Sequence, residues 1–220
     1  GDMAMKTTSR NPRFPLGFSR TELLVVIAVL GILISLIVVN LRPAKAIRSA
    51  INCRNKLMQI GVAFRGFTDD HGGKLPMAVS TNQGGTLEFA ELPNSAYHHF
   101  QVLSNLLGPP YYLVCPQDTR KAATNWGNLA NTNVSYFVGL NSDLHLPVSI
   151  LAGDRNITPV AGVVLKTDQA SPPSWVASVG LHGNRGHLLF GDGHVEELSS
   201  LGLSNAVSRT GIATNRFAVP

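Results

Sequence analysis

His182, His187, Asp192 and His194 fall within one short C-terminal stretch. Imidazole and carboxylate together can bind zinc and other first-row metals. Spacing alone does not make these groups converge, because His187 and His194 fall on different faces of a hairpin drawn through them. The plainer reading gives Asp192 to a turn and leaves the histidines on strand surfaces. Calcium prefers a compact array of oxygen ligands, whereas Asp143, Asp154, Asp168 and Asp192 are scattered. The expectation is a chain with no bound cofactor, with calcium or a transition metal as the alternative. His98-His99 reads as surface, and Asp118, Arg120 and Lys121 as an exposed charged loop. No His-Glu-x-x-His, Gly-x-Ser-x-Gly or phosphate-loop pattern occurs, and nothing spaces a nucleophile, a base and an orienter together. The chain reads as non-catalytic.

Two further features carry chemistry. Cys53 and Cys115 allow a single intramolecular pairing, which would close a loop of about 60 residues; a disulfide and two buried free thiols both fit the sequence. Glu22 is a lone carboxylate at the head of an uncharged apolar run from Leu23 to Val39. A charge in such a segment is expensive and normally has a partner or a role. In an isolated subunit Glu22 reaches the lipid interface. Among packed helices it is buried and needs a cation.

The elements that must position these groups begin with that run. It extends to Leu41, long enough at about 1.5 Å per residue to cross about 30 Å of hydrocarbon. Lys6, Arg10 and Arg13 precede it, which keeps the N-terminus cytoplasmic and sends the C-terminal bulk outward. Pro43 is expected to kink or interrupt the helix. Beyond it Ile47, Ala50, Ile51, Leu57, Met58, Gly61 and Phe64 recur at three- and four-residue steps, with Arg48, Arg54, Lys56 and Arg65 largely between them. That is an amphipathic helix, ended near Asp69-Asp70-His71-Gly72-Gly73 by glycines suited to a left-handed cap. The whole helix would run to roughly 50 residues and 75–80 Å.

The expected organisation is residues 1–17 as a leader, a boundary implied by the family resemblance of the junction given below, 18–41 as a membrane helix, 42–71 as its amphipathic half and 72–220 as one globular domain. Within the last, residues 100–107 read as a short helix, and 134–140, 160–166 and 175–177 as strands. Two β-capable runs flank Asp192-Gly193, a two-residue hairpin signal. The tail after Ser200 is weakly patterned and reads as poorly ordered. A long helix on one face of a small antiparallel sheet gives an α+β class. The formal charge of +5 falls to about +3 once the leader's three basic residues and Asp2 are gone, too little to argue for nucleic acid.

The junction Gly17-Phe18-Ser19-Arg20-Thr21-Glu22 followed by Leu23-Leu24-Val25-Val26-Ile27 resembles that of type IV prepilins, the class of type IV pilins and type II secretion pseudopilins. Arg20 departs from it, standing where an aliphatic residue is commonest. The resemblance implies a pilin-like fold, leader cleavage between Gly17 and Phe18 and N-methylation of the new Phe18 amine. It also implies pairing of that amine with Glu22 of a neighbouring subunit, so that Glu22 sets axial register. His182, then nine residues, then Asp192-Gly193 is similar to a prepilin-associated C-terminal domain found in Planctomycetes and Verrucomicrobia. Segments 53–61 and 153–157 look like the same group.

The implied partners are copies of the chain, minor pilins, a prepilin peptidase and an inner-membrane assembly platform. The implied location is a bacterial inner membrane, single-pass, with the C-terminal domain periplasmic and later part of a filament. The competing reading is a signal-anchored extracytoplasmic domain that binds a ligand or metal and does not polymerise.

Overall fold

In the computed structural model, residues 19–158, 162–168, 170–177 and 181–220 are described, residues 38–47 through their backbone alone. The processing junction Gly17–Phe18 lies outside them. The chain divides into two compact units, Gly1–Lys45 and Ala46–Pro220. The first helix, α1 (Arg20–Asp70), contributes to both.

In the first unit α1 opens on a capping box, visible in sequence as Ser19-x-x-Glu22. The Glu22 N–H donates to Ser19 Oγ at 3.2 Å, and the Ser19 N–H donates to Glu22 Oε2 at 2.8 Å. Two otherwise orphaned donors are thereby satisfied. Arg20–Ile37 has a mean hydropathy of 2.3 and no buried residue, so this stretch is long and apolar enough to cross a membrane. The helix is not interrupted at Pro43, so of the two expected outcomes, a kink or an interruption, the second does not occur.

In the second unit the buried positions of α1 are Cys53, Lys56, Leu57, Ile60, Gly61, Ala63, Phe64, Phe67 and Thr68. Ile51 and Met58, expected on the packed face, are instead exposed. After Asp70, Gly72 and Gly73 take positive φ of 62° and 80°. The Gly73 N–H donates back to the Thr68 carbonyl at 2.9 Å, the anticipated left-handed stop. The expected helix at 100–107 is two single turns, α2 (His98–Gln101) and α3 (Ser104–Leu107).

Six antiparallel strands form one sheet: β1 (Tyr136–Gly139), β2 (Ile150–Asp154), β3 (Val164–Thr167), β4 (Arg185–Phe190), β5 (Val195–Ser199) and β6 (Asn215–Ala218), in the order β3-β6-β1-β2-β4-β5. The chain is thus α+β. Strand alternation gives the sheet two apolar faces. Tyr136, Val138, Ala152, Leu189 and Ala218 join the core built on α1, while Phe137, Leu188, Phe190 and Phe217 join a second core with Leu203, Ala206 and Val207.

Those last three residues belong to α4 (Ser200–Arg209), capped by Ser199 Oγ, which accepts from the Gly202 N–H. The tail is therefore not poorly ordered. β6 sits between β1 and β3 and holds the latter to the sheet. Its partners are distant in sequence, so local patterning hides it. Trp175 makes only an isolated bridge to Ile157, not a strand.

The β4–β5 hairpin turns at the predicted place but by another geometry. The Gly193 N–H donates to the Phe190 carbonyl, and the Phe190 N–H to that of His194. Gly193 alone has positive φ, 91°. This is a three-residue loop whose glycine takes the left-handed position, rather than a two-residue primed turn.

Candidate functional site

The polar centre of the second unit is built by three segments that are remote in sequence. β2 ends on Asp154, whose side chain is wholly buried on the face turned to α1, opposite Tyr136 of β1. β4 brings His187 to the same face. The His187 backbone N–H donates to Asp154 Oδ2 at 2.7 Å, and its Nδ1 lies 2.9 Å from the same oxygen. An ionised carboxylate can only accept, so Nδ1 carries the hydrogen in this arrangement.

The loop before β4 supplies His182, whose Nε2 is 3.6 Å from Asp154 Oδ2 and 3.4 Å from Cys115 Sγ. Only 4% of the His182 side chain is exposed. Its φ of 37° is unusual for a residue with a Cβ. Asn156 supports that conformation: its Nδ2 shares two hydrogens among the carbonyls of Leu181, Gly183 and Arg185, which surround it. Burial lowers the His182 pKa, against the opposing pull of the Asp154 carboxylate.

α1 closes the site. Cys53 is bonded to Cys115 with a Cα–Cα separation of 5.1 Å, which decides between the two cysteine readings. One helical turn on, Lys56 donates from Nζ to the Tyr111 carbonyl at 2.9 Å and the Val114 carbonyl at 2.6 Å. The ammonium sits 3.4 Å from the centre of the Tyr111 ring. Burial brings its pKa down to about 8. Sequence periodicity had placed Lys56 on the solvent side; its stem lies on the packed face, and its head uses backbone oxygens instead of water.

Three polar atoms here are buried without a partner, Asp154 Oδ1, Asn156 Oδ1 and Tyr136 Oη. Among the described residues, no lysine or arginine pairs with Asp154; the side chains against its carboxylate are the two imidazoles. Burial, then the Asp154 carboxylate, raises the Tyr136 phenol well above its ordinary value. One ligand atom from each of Asp154, His182 and His187 lies within 4.8 Å of the other two, and Cys53, Cys115 and His182 meet the same criterion.

The sequence had singled out His182 with Asp192-Gly193, and the structure separates them. Asp192 and His194 form an exposed pair of their own at the hairpin loop, while His182 precedes β4. The nine-residue spacing is the length of one strand and its connections, about 20 Å for six residues of β4. Asp154, weighed in the sequence only among scattered calcium candidates and within a segment of family resemblance, replaces Asp192 as the carboxylate of the cluster. The carboxylates weighed for calcium do not converge: Asp143 pairs with His145, and Asp168 accepts from the backbone N–H groups of Ala170 and Ser171.

Two other expectations are corrected. His99 is fully buried, with Nδ1 2.7 Å from Thr86 Oγ1. Asp118 is no exposed loop residue either: both its oxygens accept from Arg155 at 2.7 Å, and Ser135 adds a third bond. Burial works to raise the Asp118 pKa, but the Arg155 and Ser135 hydrogen bonds outweigh it and hold the group low. Arg120 likewise turns inward to the carbonyls of Asn131, Val134 and Pro220. These charges were misread because their partners lie from 11 to 100 residues further along the chain, out of reach of local patterning.

Comparison of the chain with protein families, with curated proteins and with solved structures returns no match.

Proposed function

We propose that the chain is a pilin-like structural subunit of a type IV pilus or type II secretion filament. It would be processed by a prepilin peptidase between Gly17 and Phe18 and polymerised through α1, with no catalytic role. One observation carries the reading: an exposed apolar helix, Arg20–Ile37, bears its only carboxylate, Glu22, in the first turn. Such a surface is covered by lipid or by other helices. Copies of the same helix offer matching apolar stripes, and the α-amine freed at Phe18 offers the cation that a buried Glu22 would need. In this reading the subunit waits in the inner membrane, the second unit forms the filament's outer surface, and the partners are copies of the chain, minor pilins and the assembly platform.

The intact mass and N-terminal residue of the protein from native membranes test this directly. The expected product begins at Phe18 and carries one added methyl group. A chain that keeps residues 1–17, or that begins beyond Leu41, would exclude the mechanism and favour the signal-anchored, non-polymerising domain.

A further inference from the structure

We propose that Asp154, His182 and His187 form a buried binding site for a single divalent transition-metal cation, with zinc as the best match to the donor set. The inference does not rest on the filament reading.

Asp154 is a fully buried carboxylate with one oxygen unpartnered, and among the described residues no lysine or arginine neutralises it. A buried carboxylate in that state requires a cation or a proton. The two groups facing it are imidazoles, which are metal ligands when neutral.

His182 Nε2 and His187 Nδ1 lie 3.6 and 2.9 Å from Asp154 Oδ2. Ligand atoms around a tetrahedral zinc with bonds near 2.0–2.1 Å are about 3.3 Å apart, and the two observed separations bracket that value. A cation seated among the three takes the place of the hydrogen that His187 Nδ1 now directs at the carboxylate; that ring then carries its hydrogen on Nε2. Tyr136, the cross-strand neighbour of Asp154, brings a second unpartnered oxygen to the same face.

The loop is also built for its place. His182 has a positive φ, and the carbonyls on either side of it converge on the Nδ2 of a single buried asparagine. Strain of this kind, fixed by surrounding bonds, is a mark of functional positions. Gly183, Asn184 and Arg185, which follow His182, are exposed, so opening of that loop gives a cation a way in.

Donor chemistry selects the metal class. Two nitrogens and one carboxylate suit zinc and its first-row neighbours, whereas calcium and magnesium prefer oxygen-only shells of six or more ligands. Cys53 and Cys115 stand beside the site but are bonded to each other, so their sulfurs serve as its wall and not as thiolate ligands.

The test uses the full chain in detergent with its disulfide intact, stripped by chelator and then equilibrated with zinc sulfate, calcium chloride or magnesium chloride. Retained metal is counted by mass spectrometry after gel filtration, and Tm is followed in parallel. The proposal expects one zinc per chain, a rise in Tm with zinc and neither effect with calcium or magnesium. Asp154→Asn should lose zinc but also alters a wholly buried polar position on which folding depends, so His182→Gly is the deciding variant. Glycine accepts the positive φ at 182, so this chain should stay folded by circular dichroism and lose both the zinc and the Tm shift. Cobalt in place of zinc should give visible ligand-field bands without the intense thiolate charge-transfer absorption. Failure of the disulfide-intact chain to retain zinc would overturn the proposal, as would undiminished retention by His182→Gly. Uptake that appears only after reduction by a dithiol and vanishes in Cys53→Ser would overturn this donor set in favour of the thiolates.

Discussion

His99 shows how burial converts a residue type into a pH response. Desolvation, with His98 acting in the same direction, lowers its pKa to about 4, against about 6.5 in an unfolded chain. Above pH 6.5 neither state is protonated there, and stability is unaffected. As the pH falls from 6.5 towards 4, the unfolded chain takes up a proton that the folded chain refuses, so stability drops by on the order of 3 kcal/mol. Chemical denaturation across this range should show the decline, and His99→Gln should flatten it.

At Glu22 two roles can be separated by substitution. Ser19→Ala removes half of the capping box and should cost the helix start about 1 kcal/mol while leaving the carboxylate in place. Glu22→Ala removes the carboxylate as well. If Glu22 sets register, filaments seen by electron microscopy should be lost in Glu22→Ala and kept in Ser19→Ala. Equal loss in both would reduce Glu22 to a helix cap. Glu22 was legible as an anomaly, because a charge beside an apolar run needs no tertiary context to be noticed. His99 was not, since nothing near it in sequence reports Thr86 as its partner.

Among the elements, α1 and the single turn at Pro110–Leu113 with the cysteine that follows are held together twice. Cys53 bonds Cys115, and Lys56 reaches the carbonyls of Tyr111 and Val114. The disulfide spans a sequence separation of 62, which in the chain-entropy account is worth about 4 kcal/mol. The double variant Cys53→Ser, Cys115→Ser should lose stability of that order in urea unfolding. A much smaller loss would show that Lys56 and the surrounding apolar contacts hold the helix alone. The helix, its glycine stop and the β4–β5 hairpin could all be read locally, since period, caps and turn residues act within a few positions. The packed face of α1 could be read only in part. Ile51 and Met58 lie on its exposed side, and the long lysine stem at 56 lies on its buried one.

For the whole molecule, the C-terminal tail is the decisive element. β6 lies between β1 and β3, and Phe217 and Ala218 enter opposite cores. A chain ending before Asn215 should expose both cores and leave β3 without a partner. It is expected to lose cooperative unfolding and protease resistance, whereas a merely decorative tail would leave both unchanged.

The amino-acid sequence by itself determined the apolar helix and its lone carboxylate, the α+β class and the position of the hairpin. Each of these depends on periodicity or turn chemistry confined to one stretch of chain. Tertiary structure alone decided the place of β6 in the sheet, the Asp118–Arg155 ion pair, the cysteine bond and the meeting of Asp154 with His182 and His187. In each of these the partners lie tens of residues apart, and only the packing of helix, loops and registered strands brings them within a few ångströms.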